Sequence, residues 1–414
     1  MSVASIITIG DELLIGQVVD TNSTWMAQEL NKAGIQVVHR VAVGDLWDDI
    51  WAALDEEQKK ADIILITGGL GPTADDITKP LLCKYFDGKM VEDAGARQNV
   101  IDIFTRLNRP IIERNLLQAM VPDTCTVIQN KRGTAPGMWF EKNGKVFVSM
   151  PGVPHEMKGM MEEVIPQLAG KFKLPAIIHR TLLTAGVGES FLAELVKDFE
   201  AALPAYIRMA YLPNYGMVRL RLTANGFDRE ALEAETDQLF SQLQHLVKDY
   251  LVTNEDEPME KVVGKLLLQK GKTMCTAESC TGGYIAHLLT SIPGSSAFYE
   301  GSVVSYSYAV KEKLLGVEKS TLESVGAVSE EVVIQMAKGA LKNTGADYTI
   351  AVSGIMGPDG GSPEKPVGTV WAAVGSKDGI KTQLLSFRFD RMRNIQLTAT
   401  NALNLLRKFI LEEG

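Results

Sequence analysis

Between residues 3 and about 168, short β-branched runs alternate with amphipathic stretches. The runs at 6–9, 37–43, 63–67 and 146–149 have strand length and end in turn residues, whereas 23–33, 48–60 and 97–107 carry apolar residues at helical spacing. This alternation predicts a mainly parallel sheet with helices on both faces. Pro166 and the segment 171–175 mark its end, giving a first domain over 1–170. From 176 to 253 the pattern changes to a small α+β unit. Its strands are expected at 179–184, 207–212, 217–223 and 251–252, with a turn at 185–188 and helices at 189–199 and 228–246. Asn254-Glu255-Asp256-Glu257-Pro258 is an acidic linker. Beyond it, 258–414 reads as a further α/β unit. Helices are expected at 259–269, from 284, at 329–343 and at 393–411, with strands at 272–275, 301–306, 348–353 and 368–374.

Composition narrows the class. At 414 residues the chain is too long for one typical core, so several domains are expected. Hydrophobic content of 45% and charged content of 22% suit a soluble globular protein, and a net charge of −9 disfavours broad nucleic-acid binding. Cys83, Cys125, Cys275 and Cys280 show neither C-x-x-C nor zinc-ligand spacing, which predicts buried thiols in a reducing compartment. The N-terminus lacks a basic leader pattern, and no apolar run approaches the ~20 residues of a membrane helix. A cytoplasmic protein without a membrane partner is expected.

The segment Thr276-Ala277-Glu278-Ser279-Cys280-Thr281-Gly282-Gly283 joins a strand to a helix. A hydroxyl there lies near unpaired amides and the positive end of a helix dipole. That location suits an anionic ligand, or the oxyanion formed when a serine attacks a carbonyl. A plain helix cap at Ser279 or Thr281 is the alternative. Two glycine-rich loops follow later strands, Ser353 to Gly361 and Glu364 to Thr369, where α/β folds place ligands.

The runs A-E-S-C-T-G-G at 277–283, P-G-S-S at 293–296, S-Y at 305–306 with Lys311, G-A-V-S-E-E at 326–331, S-G-I-M-G-P-D-G-G at 353–361 and E-K-P-V-G-T-V-W at 364–371 resemble the C-terminal domain of the competence/damage-inducible CinA family. The resemblance implies a nicotinamide mononucleotide amidohydrolase that needs no cofactor. Ser279 matches the nucleophile, Lys311 the general base and Tyr306 its neighbour. A lysine base must be neutral, so burial or a nearby cation has to lower its pKa. Ser353 falls near the substrate, and Thr281, Gly282, Gly354, Gly357, Gly360 and Gly361 line it. A late arginine, Arg391 in preference to Arg393, would hold the phosphate. Met356 stands where the family usually has alanine, which would reshape the pocket wall.

The first domain carries its own strand-end motifs. Gly10-Asp11-Glu12 follows one strand, Gly44-Asp45 another, and Gly68-Gly69-Leu70-Gly71-Pro72-Thr73-Ala74-Asp75-Asp76 comes after the strand at 63–67. Glycine amides beside carboxylates suit a phosphate ester bound through a divalent cation. Acidic helix starts are the competing explanation for Asp11, Glu12, Asp48 and Asp76. G-D-E-L-L at 10–14, D-T-N at 20–22, T-G-G-L-G-P-T at 67–73, G-T-A-P-G at 133–137 and P-G-V-P at 151–154 with Glu156 resemble the CinA N-terminal domain, which is similar to the MoaB/MogA three-layer α/β fold. This implies metal-dependent ADP-ribose pyrophosphatase activity with Mg, Mn or Co type ions. Asp45, Asp75 and Asp76 would do metal or acid–base work, with Gly68, Gly69, Gly71 and Thr73 around a phosphate. The middle unit resembles a KH-type domain, but Gly186-Val187-Gly188-Glu189 puts an acid in the loop that grips RNA elsewhere, so nucleic acid is not an expected partner. The whole reads as a homodimeric enzyme of pyridine-nucleotide salvage, acting on nicotinamide mononucleotide and ADP-ribose. Two other readings compete: a molybdopterin-like binding module in the N-terminal domain, and an interaction protein of competence and recombination.

Overall fold

The structure, a computed structural model, describes residues 2–73 and 76–413. By contacts the chain forms two compact units, one of 1–178 with 224–233 and one of 179–223 with 234–414.

In the first unit, strands β1 (Val3–Ile9), β2 (Gln36–Val43), β3 (Ile63–Thr67), β6 (Thr126–Ile128), β7 (Gly137–Lys142) and β8 (Lys145–Met150) form one sheet, order β2-β1-β3-β8-β7-β6. The first four in that order run parallel, and β7 and β6 are antiparallel additions. β4 (Met90–Glu92) and β5 (Met120–Pro122) pair separately. Successive residues of a strand face opposite sides, and both sides are apolar here. Ile6, Leu65 and Val148 pack under the helices Thr21–Lys32 and Pro154–Lys171 through Met26, Leu30, Met157, Met161 and Leu168. Ile7, Ile64, Ile66 and Phe147 pack on the other side against Trp47–Lys60 and Thr78–Tyr85 through Ile50, Leu54, Leu81 and Leu82. This is a three-layer α/β domain. Pro166, expected as a boundary, lies inside the helix Pro154–Lys171. Proline costs a helix one backbone hydrogen bond, and the buried face formed by Met157, Met160, Met161, Val164 and Leu168 outweighs that loss.

The middle segment gives a four-stranded sheet, order β10-β11-β9-β12, from β9 (Ala176–Ala185), β10 (Ile207–Asn214), β11 (Met217–Gly226) and β12 (Leu251–Thr253). The expected helix at 189–199 is broken into Glu189–Leu195 and Lys197–Ala201.

The C-terminal sheet has order β14-β13-β15-β16-β17, from β13 (Met274–Glu278), β14 (Tyr299–Val304), β15 (Tyr348–Gly354), β16 (Thr369–Ser376) and β17 (Ile380–Ser386). β13 is parallel to both neighbours, and β16 and β17 are antiparallel. Met274, Ile350, Val352 and Val374 face the helices Met259–Lys270 and Arg391–Glu412 through Val263, Leu267, Leu403 and Leu406. Cys275, Ala277, Ala351 and Ala373 face Glu330–Thr344 through Val333, Met336 and Ala340. The sequence reading missed β17 and placed β13 too early. The strand runs on to Glu278, so the chemistry-bearing turn begins at the carboxyl end of a central strand. Among the described residues no helix is long and apolar enough to cross a membrane.

Candidate functional site

At the end of β13 the Ser279 amide donates to the Val352 carbonyl at 3.0 Å, tying the turn to β15. Helix Tyr308–Leu315 starts at Ser307, whose side chain accepts from the Val310 amide. One turn on, the helix delivers Lys311. Lys311 Nζ donates to Ser279 Oγ at 2.8 Å and to the Ser305 carbonyl at 2.6 Å. The lysine is 1% exposed, and burial pulls its pKa from 10.5 down to about 8. A hydroxyl and an amine of lowered pKa therefore share a hydrogen bond in a nearly closed site, an arrangement that can support nucleophilic chemistry. Cys280, the next residue, is pushed up to about 12 by burial and stays a thiol.

Glu278, a motif residue to which the sequence alone assigns no role, organises the turn. Its buried carboxylate accepts from the amides of Gly283 (3.1 Å), Ile285 (3.0 Å) and Ala286 (2.8 Å), and from Thr281 Oγ1 (2.7 Å) and Thr276 Oγ1 (3.2 Å). Two expectations change. The amides that start helix Tyr284–Thr290 bind this internal carboxylate rather than standing ready for an external anion, and the Thr281 hydroxyl is spent on it too. The amides of Cys280 and Thr281 lie outside the clamp. An acid just before Ser279 and a Gly-Gly helix start was the signal that could have revealed it, because carboxylates collect first-turn amides.

The other expected residues divide. Tyr306 is 63% exposed, and its phenol accepts from Arg391 Nη2 at 3.1 Å, so it is joined to Arg391 rather than to Lys311. Arg391 Nη1 also donates to the Gly357 carbonyl at 2.8 Å, while the Arg393 guanidinium lies 4.3 Å from the centre of the Phe389 ring. Ser353 Oγ is turned inward onto the Ala327 carbonyl at 2.7 Å. Gly354 ends β15, and Gly357, Gly360 and Gly361 lie on the loop that Arg391 reaches; Gly357 sits at φ +85°, a conformation that favours glycine. Met356 is 3% exposed and packs into the core, and its carbonyl accepts from Asn394 Nδ2 at 3.1 Å. It therefore supports the loop from beneath rather than forming an open wall. Asn394, also unassigned from sequence, accepts from the Phe389 amide and donates to its carbonyl.

In the first unit a cavity of about 430 Å³ is lined by Glu12, Asp45, Gly68, Gly69, Gly71, Asp76, Gly152 and Glu156 among others. Gly68 has φ +115°, and a Cβ there would collide with the Ile9 carbonyl. Asp45 Oδ2 accepts from the Asp11 amide at 3.1 Å, and Asp11 Oδ1 accepts from the Asp45 amide at 3.2 Å. Asp76 accepts from the Gly71 amide (2.8 Å), the Thr73 amide (2.9 Å) and Thr73 Oγ1 (2.5 Å). Asp76 and Thr73 thus hold the glycine loop in shape. Asp75 lies outside the described residues. Among those described, no three His, Cys, Asp or Glu side chains converge as a metal cage requires. These side chains alone do not fit a preformed cation site. Two further groups here had no role assigned from sequence, the buried Lys79 and the half-buried Glu156. Lys79 Nζ donates to the Gln118 carbonyl, with its pKa drawn down to about 8 by burial. Glu156 is held above the ordinary carboxylate range by burial and accepts from Asn130 Nδ2 at 2.6 Å.

Three family descriptions match the chain in order: a "Probable molybdopterin binding domain" over 5–170, the "Damage-inducible protein CinA KH domain" over 179–253 and the "CinA C-terminal domain" over 256–410. A CinA-like protein of Cytophaga hutchinsonii is 46% identical, over 99% of this chain and 98% of its own. CinA-like proteins of Flavobacterium psychrophilum and Chloroherpeton thalassium are 43% and 42% identical, each covering 98% or more of this chain and 99% of their own. Full-length identity at this level, with the three domains in one order, means that the chain belongs to the CinA family.

Proposed function

We propose that the C-terminal domain is an amidohydrolase that converts nicotinamide mononucleotide to nicotinic acid mononucleotide and ammonia. The observation that carries this reading is the buried bond between Lys311 Nζ and Ser279 Oγ, with the lysine pKa near 8. Neutral Lys311 takes the serine proton as Oγ attacks the carboxamide carbon. The resulting oxyanion is met by the Cys280 and Thr281 amides, which Glu278 leaves free of its clamp. The lysine then passes its proton to the departing nitrogen, and ammonia leaves an acyl-enzyme. Lys311 next deprotonates a water that attacks the ester, and nicotinic acid mononucleotide leaves as Ser279 regains its proton. Arg391, on the loop side with Tyr306, is the phosphate ligand this reading favours, because Arg393 is occupied by the Phe389 ring. Ammonia release by wild type and Ser279→Ala, each with and without chelator, is the test. Metal-independent release lost in the variant supports the reading, and release surviving the substitution refutes it.

The N-terminal cavity favours a second activity, cleavage of ADP-ribose to AMP and ribose 5-phosphate. Its supports are the glycine loop and the size of the cavity, which suits a nucleotide diphosphate. AMP formation in the presence of added divalent cation tests it, and tight ADP-ribose binding without turnover would favour the binding-module alternative.

A further inference from the structure

A cavity of about 230 Å³ lies where β12 and the acidic linker meet the first and last helices of the C-terminal domain. Its apolar wall is Val252, Val262, Leu266 and Leu411, and its buried end is Arg407. Arg407 is 8% exposed, and Nε donates to Asn404 Oδ1 at 3.1 Å. Among the described residues that is its one hydrogen bond, and it has no ion pair. A guanidinium carries five N–H donors and stays charged; the Arg407 Nη atoms are not sealed in the interior, so their donors are open to a ligand in the cavity. Burial lowers its pKa from the ordinary arginine value.

The neighbouring acids are already taken. Glu255 is paired with Lys265 at 2.6 Å, and Glu257 with Lys261 and Lys265, both at 2.6 Å. Two carboxylates thus face two lysines, and Arg407 is the positive charge left over. Charge, shape and wall chemistry agree. A guanidinium fork matches a planar carboxylate in bidentate fashion, one surplus charge calls for a monoanion, and the aliphatic wall calls for an apolar body. The volume lies below the roughly 300–1,000 Å³ of drug-sized pockets, so the ligand is small. We propose that this cavity is a binding site for a small monocarboxylate with an apolar body, its carboxylate on Arg407. The site is separate from the Ser279 chemistry: Arg407 lies sixteen residues beyond Arg391 on one helix, roughly 24 Å along its axis.

The test uses the full-length protein and thermal melting with propionate, hexanoate and benzoate at millimolar concentration. Inorganic phosphate and sodium chloride at matched ionic strength are the controls. At least one apolar carboxylate should raise Tm by a few degrees over both controls, because a ligand of the native state alone stabilises it. Arg407→Met should abolish the shift and leave ammonia release unchanged. Val262→Phe, which narrows the cavity and spares the charge, should do the same and decides the matter if Arg407→Met does not fold. No shift with any of the three carboxylates, an equal shift with phosphate, or a shift that survives the folded variants overturns the proposal.

Discussion

The two strand-end sites use one device to different ends. In the C-terminal domain Glu278 gathers the amides of the turn and leaves Ser279 and Lys311 bonded to each other. In the N-terminal domain Asp76 gathers the Gly71 and Thr73 amides, Asp11 and Asp45 brace each other, and what remains is a glycine-lined cavity without a comparable buried serine–lysine pair among the described residues. Glycine and acid at a strand end therefore announce a shaped turn first. The chemistry lies in the groups the brace does not consume.

The sharpest way to break the contrast is to remove the pair. Ser279→Ala should lower ammonia release by about 10⁴-fold or more with little change in Tm, and Lys311→Met should act likewise. Lys311→Met should melt no lower than wild type, since it removes a buried cation. If Lys311 is the base, the wild-type rate should climb with pH to a plateau above about 8, where the amine is neutral. Stability should move the same way. Between about 8 and the ordinary 10.5 the unfolded chain holds the lysine proton more firmly than the folded one, so this lysine's penalty shrinks as pH rises. A flat rate profile would remove the base role.

Attacking the braces comes next. Glu278→Gln leaves buried donors poorly matched and should cost about 2–3 kcal/mol by denaturant melts, with a fall in kcat. Asp76→Asn, on an exposed loop, should cost under about 1 kcal/mol and show instead as weaker ADP-ribose binding by calorimetry. The smallest contrast is within one helix turn. Arg391→Lys should raise KM for nicotinamide mononucleotide by roughly tenfold through loss of the planar fork, whereas Arg393→Lys should change it less than about twofold.

Much of the architecture was legible because buried strands leave apolar runs: Ile63 to Thr67 is strand from first residue to last in both readings. The domain alternation and the Ser279 turn followed from the same pattern. What escaped was set by tertiary packing. Pro166 argued for an end, and only the methionine-rich face beneath the helix shows why it continues. Lys311 sits among charged neighbours Glu312 and Lys313 and reads locally as a solvated helix residue, yet the fold closes over it. Tyr306 could be placed beside Lys311 by sequence, but its strand end turns the phenol outward to Arg391. Arg407 gave no signal, since one arginine in an amphipathic helix looks like any other.

The Glu278 clamp has a consequence for motion. The first turn of a helix ordinarily frays, because its amides have no partner within the helix. Here Ile285 and Ala286 open their helix already bonded to a carboxylate sealed from water. Their deuterium uptake should lag behind that of the exposed helix starts elsewhere in the chain. The turn that carries the Ser279 hydroxyl is then anchored at its helix end by an internal carboxylate, which holds that hydroxyl in one place.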